Sequence, residues 1–224
     1  MSTVERTTLP PLVAGQNLRR EEFHARYEAM PPKTRAELIG GVVFMPSPAR
    51  DLHGTICLNS AAWLGLYKFR TPGVLASENA TLFLGDLTEV QPDTWLRIAP
   101  ERGGQTRNVG HYVEGAPELI VEVSVSSRAI DLGPKLAEYE RAGAREYVVF
   151  AINPDEVYWH ARRGDRLVRV EPGPDGLYRS ETFPGLWLDP AAILDDDGPA
   201  LLAALDRGLA TAEHAAFVAR LAAR

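Results

Sequence analysis

Apolar positions along the chain recur with two periods, and the alternation between them predicts the order of elements. Between residues 51 and 70, Leu52, Ile56, Trp63, Leu66 and Tyr67 return at largely helical spacing. That spacing predicts a helix with Asp51 as its N-cap, stopped by Pro72-Gly73. Ahead of it, ELIGGVVFMPSP from Glu37 reads as two short strands joined by a tight turn at Gly40-Gly41 and ended at Pro46. Residues 19–30 form a short helix-like stretch between two proline pairs, an N-terminal arm. Three further runs, 74–77, 81–84 and 90–98, read as strands. Residues 100–115 are rich in Gly and Arg without periodicity, which predicts a loop.

The most informative stretch follows. PELIVEVS at 117–124 is a strand, residues 132–142 a helix with Asp131 as N-cap and Gly143 as its stop, and EYVVFAI at 146–152 a second strand. Strand, helix, strand in that order predicts a parallel crossover. EVYWHAR, DRLVRVE and GLYRSETF, separated by turns, read as an antiparallel extension, and residues 198–224 as two helices, the second capped by Thr211. The fold class is α/β, with a mixed β-sheet flanked by helices. The expected organisation is an arm over 1–34, one domain over 35–185 and a helical tail over 186–224 packed on that domain.

Composition narrows the class. With 224 residues, 45% of them hydrophobic and 24% charged, the chain can bury a core, and disorder, collagen and coiled coil are excluded. No apolar run approaches the roughly 18 residues of a membrane span, and the N-terminus lacks the apolar centre of a secretory signal. The single cysteine, Cys57, cannot form an internal disulfide or a cysteine-based metal cluster, so a cytoplasmic setting is expected. A net charge of −6 argues against coating nucleic acid by bulk positive charge. That excess is uneven, because from Leu186 onward six acids face three arginines. Only Lys33, Lys68 and Lys135 are lysines, so each raises the question of why it is not arginine.

The sequences of phosphate-binding loops, dinucleotide folds, serine hydrolases and zinc proteases are absent. What remains is a set of carboxylates on strands. In QPDTWLRI, Asp93, Trp95 and Arg97 share a face; in PELIVEVS, Leu119, Val121 and Val123 form an apolar face and Glu118, Ile120, Glu122 and Ser124 the opposite one. Glu122 therefore lies at the centre of a buried strand, where a carboxylate needs a partner, a proton or a cation. If the strands of Asp93 and Glu122 are neighbours, the two carboxylates converge as an oxygen-ligated magnesium site does. Lys135, one turn into the next helix and on the side of Tyr139, can reach that site to position water, act as a base or stabilise charge on phosphate.

This constellation resembles the Uma-type putative restriction endonuclease family of the PD-(D/E)XK nuclease superfamily. The matching segments are AELIGG at 36–41, His53, QPD at 91–93, EGAPELIVEVS at 114–124, DLGPKLAEY at 131–139 and AGAREYVVF at 142–150. The resemblance is good over residues 35–155, and the tail segments FPGLWLDP and EHAAFVARL resemble one branch of the family. It implies a restriction-endonuclease-like core, Mg²⁺ dependence (with Mn²⁺ as a substitute) and phosphodiester hydrolysis with DNA as substrate. Carried over, Asp93 and Glu122 bind metal, Lys135 is the catalytic lysine and Glu37 an auxiliary carboxylate, with His53, Arg128 and Tyr139 as candidate phosphate or substrate contacts. Two departures stand out. Ser124 occupies the position two residues after the glutamate where the superfamily places lysine, and Lys135 on the next helix takes its place. Gly40 stands where the family commonly has Asp, and Val125-Ser126 where it has Ser-Pro.

Each residue also has a plainer reading. Asp93 can cap a turn after Pro92, Glu122 can pair with an arginine, Lys135 can bridge Asp131 on an exposed helix, and His53 can be a packed core residue. Arg97, Arg102, Arg107 and Arg128 are near the site in sequence and are either phosphate contacts or solvated loop charges. The C-terminal helices are core or the surface of a homodimer. Besides the nuclease, two other functions fit the sequence: a nuclease fold without catalysis that binds nucleic acid or regulates, and a metal-dependent phosphohydrolase of small molecules.

Overall fold

In the computed structural model, residues 9–32, 34–45 and 51–223 are described. Pro46 and Lys33 lie outside them. In chain order the elements are α1 (Arg20–Glu28), β1 (Glu37–Ile39), β2 (Val42–Phe44), α2 (Asp51–Arg70), β3 (Val74–Glu78), β4 (Leu82–Phe83), β5 (Glu89–Val90), β6 (Thr94–Ile98), β7 (Arg107–Val109), β8 (Tyr112–Glu114) and β9 (Leu119–Ser124). Then come α3 (Arg128–Ile130), a π-turn over Asp131–Lys135, α4 (Leu136–Ala142), β10 (Glu146–Ala151), β11 (Glu156–Arg163), β12 (Arg166–Val170), β13 (Tyr178–Arg179), β14 (Trp187–Leu188), α5 (Pro190–Leu194), α6 (Gly198–Leu209) and α7 (Ala212–Ala222).

The main sheet has the order β12-β11-β10-β9-β6-β3. Its centre is the expected crossover: β9 and β10 run parallel, with Glu122 opposite Val149, and the other neighbours are antiparallel. Both central strands are buried along their whole length, as both faces of such a sheet are covered. On one face Leu119, Val121, Val123, Val148 and Phe150 pack with Ile56, Trp63 and Tyr67 of α2 and with Leu205 and Phe217 of the C-terminal helices. On the other, Trp95, Ile120, Tyr147 and Val149 meet Tyr139 of α4 and Ile39, Leu82 and Val90.

Those last three belong to a second six-stranded sheet, β2-β1-β5-β4-β8-β7. Gly40 and Gly41 both take positive φ in the β1–β2 hairpin, the left-handed backbone that a two-residue turn requires and glycine supplies without strain. The N-terminal segment packs on this sheet: Leu12, Leu18 and Phe23 form a third cluster with Leu38 and Val43.

Several sequence expectations change. The run 90–98 is not one strand; Val90 ends a strand of the second sheet, Gln91-Pro92-Asp93 is a break, and Thr94 opens a strand of the main sheet. Proline, which has no N–H for a ladder, stands at that break. The expected loop 100–115 holds a short 3₁₀ turn and the β7–β8 hairpin, held in part by Arg97, whose buried guanidinium donates to Thr106 and Asn108. Asp51 is the first helical residue of α2 rather than its cap, and Leu52 and Leu66 are exposed, while Ile56, Cys57, Ser60, Trp63, Leu64 and Tyr67 form the buried stripe. Of GLYRSETF only Tyr178–Arg179 is strand, paired with β14 outside both large sheets. Thr211 does cap α7, accepting from the His214 amide.

The helix after β9 begins at Arg128, four residues before the expected start, and Asp131 lies inside it without capping. Pro134 explains the widened turn. It lacks the N–H that would continue the α-helical ladder, and its ring clashes with the preceding turn unless that turn opens.

Candidate active site

The crossing between the two sheets places the first acid. Gln91 donates its amide to the Glu37 carboxylate at 2.7 Å, tying the QPD break to β1. Thr94 pairs with Val121 in the antiparallel β6–β9 ladder, so Asp93 stands one step on, beside Glu122. Asp93 Oδ2 accepts the Val123 amide at 2.7 Å, which fixes the carboxylate against β9. Asp93 itself precedes β6 rather than lying in a strand, but β6 and the strand carrying Glu122 are neighbours, the condition the sequence had left open.

Glu122 is 4% exposed and held from the helix side. Its Oε1 accepts from Lys135 Nζ at 2.9 Å and from the Tyr139 hydroxyl at 2.8 Å. Lys135 Nζ also lies 2.9 Å from Glu37 Oε2 and 3.9 Å from Asp131 Oδ1. The lysine is therefore buried among three carboxylates, not exposed on a helix face. The π-turn contributes to this placement, since the side chains of both Asp131 and Lys135, four residues apart within it, are buried here. Asp131 was expected as a cap. Its carboxylate instead accepts the Ser127 hydroxyl at 2.5 Å and completes the ring of acids around Lys135. The signal for it was present in DLGPK, where an acid precedes the lysine by one turn, but a residue at a helix start reads first as a cap.

Three carboxylates, Glu37, Glu122 and Asp131, thus surround one ammonium, and Asp93 stands beside Glu122. Burial pushes the Glu122 carboxyl well above its ordinary range, Asp131, Asp93 and Glu37 add to the rise, and Lys135 opposes it. Asp131 is raised by burial too, against the pull of Lys135 and Ser127. For Lys135 burial disfavours the charge, but Glu122, Glu37 and Asp131 outweigh it and raise its pKa, so it remains an ammonium. Burial raises the Tyr139 hydroxyl, which therefore donates to Glu122 as a neutral group. An excess of acid over cation in one buried place is the electrostatic condition for attracting a metal ion, and an all-carboxylate donor pair suits a hard cation such as Mg²⁺. Asp93 and Glu122 meet that requirement.

His53 comes to the same site from α2, with Nε2 3.7 Å from Asp93 Oδ1. Cys57, one turn on, places Sγ 3.4 Å from His53 Nδ1. Burial raises the Cys57 thiol far above its ordinary pKa, with Asp93 reinforcing the rise. Among the described residues, His53, Cys57 and Asp93 offer ligand atoms that all lie within 4.8 Å of one another. The sequence reading admitted His53 and had no place for Cys57. The arginines are engaged elsewhere: Arg128 donates to the Pro154 carbonyl and lies over the Tyr158 ring, Arg97 holds the β7–β8 hairpin, Arg102 donates to the Leu221 carbonyl, and Arg107 pairs with Glu114.

The mixed, two-sheet α/β frame corresponds to what comparison with known proteins returns. Residues 20–191 match the Uma2 family, described as "Putative restriction endonuclease". The chain belongs to that family. Among solved structures it is similar to a nuclease described as putative, belonging to DUF820, from Anabaena variabilis ATCC 29413. The TM-score is 0.59 at 15% identity, covering 76% of this chain and 97% of that one. At that identity the likeness establishes the shared fold. No curated protein gives a significant match. Among the described residues no helix is long and apolar enough to cross a membrane.

Proposed function

We propose that the protein is a metal-dependent endonuclease that hydrolyses phosphodiester bonds in DNA. The observation that carries this reading is the Lys135 ammonium, 2.9 Å from both Glu122 and Glu37 in a site that also holds Asp93. Asp93 and Glu122 would hold Mg²⁺, or Mn²⁺ in its place, which supplies Lewis-acid stabilisation and a more acidic water when bound. Asp93 is oriented by the Val123 amide and Glu122 by Lys135 and Tyr139, outer contacts of the kind that orient ligating carboxylates. Lys135 offers positive charge where the phosphate gains negative charge and can orient water through its remaining hydrogen-bonding capacity. Glu37, braced by the Gln91 amide, aligns the lysine.

The test is cleavage of supercoiled plasmid and of single-stranded DNA by the purified chain, with Mg²⁺ or Mn²⁺ and with chelator, beside Asp93→Ala. Metal-dependent nicking, lost by at least about a hundredfold in the variant, is the expected result. Wild type that binds Mg²⁺ yet leaves every DNA substrate intact would move the reading to another phosphodiester or phosphate substrate.

A second reading has one observation in its favour. Lys135 is directed at three carboxylates, as a structural counter-ion would be. In that case the chain is a non-catalytic nuclease fold that binds nucleic acid or regulates. Absence of both Mg²⁺ binding and nicking would select it.

A further inference from the structure

The face of Asp93 turned away from Val123 looks onto donors of a different kind. His53 and Cys57 are i and i+4 on α2, so they share one side of the helix one turn apart. His53 Nε2 is 3.7 Å from Asp93 Oδ1 and 3.9 Å from Cys57 Sγ. In a tetrahedral zinc site with bonds of about 2.3 Å to sulfur and about 2.0 Å to nitrogen and oxygen, donor atoms stand roughly 3.3–3.6 Å apart. The two separations from His53 Nε2 are a few tenths of an ångström longer than that, and the three donors all lie within 4.8 Å of one another before any ion draws them in. They also lie on or next to two supports, a 20-residue helix for His53 and Cys57 and, for Asp93, the first residue of β6 directly after it. Asp93 Oδ2 is already held by a backbone amide, the kind of outer contact that orients a ligating carboxylate. His53 keeps 21% of its side chain exposed, which leaves a path for an ion and room for water as a fourth ligand.

We infer that His53, Cys57 and Asp93 form a second cation site, selective for a borderline-soft divalent ion of the Zn²⁺ class, with one nitrogen, one sulfur and one oxygen ligand and an open fourth position. Sulfur and imidazole favour such an ion over Mg²⁺, which prefers oxygen throughout. On binding, the Cys57 Sγ–H bond gives way to an Sγ–metal bond and the proton leaves to solvent. Because Asp93 would serve both sites, occupancy here competes for the carboxylate assigned to Mg²⁺. That regulatory consequence, and only that, rests on the proposed nuclease reading.

The experiment uses the full chain, stripped of metal, with Co²⁺ and Zn²⁺ as probes and no nucleic acid present. One equivalent of Co²⁺ is expected to give a thiolate-to-metal charge-transfer band with tetrahedral visible bands, and Zn²⁺ to displace it. Glu122→Gln, which removes the charge of the other carboxylate, is expected to retain the band. Cys57→Ser should abolish it, and His53→Ala should weaken Zn²⁺ binding by about a hundredfold or more. A Co²⁺ spectrum without the thiolate band, or Zn²⁺ affinity unchanged in Cys57→Ser, overturns the site. A second measurement avoids variants altogether. Cys57 is the chain's only cysteine, so its alkylation in wild type reports on this position alone. Zn²⁺ should slow it by about tenfold or more, and Mg²⁺ at the same concentration should not; equal rates with and without Zn²⁺ also overturn the site.

Discussion

Glu118 and Glu122 are four residues apart on one face of the same polypeptide segment, both almost fully buried, and both have carboxyls raised by burial. Their partners differ. Glu118 accepts the backbone amides of Ile98 at 2.9 Å and Gln105 at 3.0 Å, tying the end of β6 to the following loop. Glu122 accepts from an ammonium and a phenol and faces three other acids. Backbone amides are neutral donors whose position the fold has already set, and here each carboxylate oxygen of Glu118 accepts one. Side-chain cations outnumbered by acids leave a deficit that a bound cation can fill. The difference separates a carboxylate that staples from the one proposed to bind metal, although the strand pattern around them is the same.

The sharpest way to break this comparison is to remove the ammonium. Lys135→Met leaves Glu122, Glu37 and Asp131 without their cation and should cost about 3–5 kcal/mol in urea unfolding at neutral pH. A loss below about 1 kcal/mol would mean that the acids do not depend on it. At the other end, Glu118→Ala strands the buried Ile98 amide and the part-buried Gln105 amide and should cost about 1–3 kcal/mol while leaving DNA nicking per folded molecule unchanged. Equal loss of nicking at Glu118 and Glu122 would erase the distinction.

Glu146 sharpens it further. It is another buried acid held by neutral donors, Ser180 Oγ and the amides of Glu181 and Thr182, and burial pushes its carboxyl up to about 7. A folded-state pKa above the unfolded value of 4.5 means that the native state holds the extra proton. Its contribution to stability is therefore complete below about pH 4.5 and lost as pH rises through about 7. Glu146→Gln, which cannot ionise, should remove on the order of 1–3 kcal/mol of that pH dependence, read as melting temperature against pH. Parallel curves for variant and wild type across this window would refute the assignment. The smallest effect belongs to Tyr139→Phe, which takes one of two donors from Glu122 Oε1. About 1 kcal/mol of stability should go, with nicking reduced less than in Asp93→Ala.

Much of this was legible beforehand. The alternation in PELIVEVS assigned Leu119, Val121 and Val123 to one core and turned Glu122 to the other face, as the two clusters show. The crossover, the Gly40-Gly41 hairpin and the Thr211 cap follow from local rules and are present. The break at Gln91-Pro92-Asp93 is not evident locally, because an interruption of three residues between Val90 and Thr94–Ile98 is short enough to read as part of one strand although the two sides belong to different sheets. The β7–β8 hairpin was missed because its strands are short and β7 is exposed, which leaves no hydrophobic period to read. Cys57 went unassigned because a lone cysteine announces no site by itself.

The sequence alone determined which residues alternate, which helix follows which strand, and which acids are too deeply placed to be idle, since periodicity and turn chemistry act over a few residues. Only the tertiary structure decided that Asp93 stands beside Glu122, that a widened turn at Pro134 buries both Asp131 and Lys135, and that α2 brings His53 and Cys57 to Asp93. These are meetings between segments distant in the chain, and strand register and helix packing, which no local pattern encodes, set them.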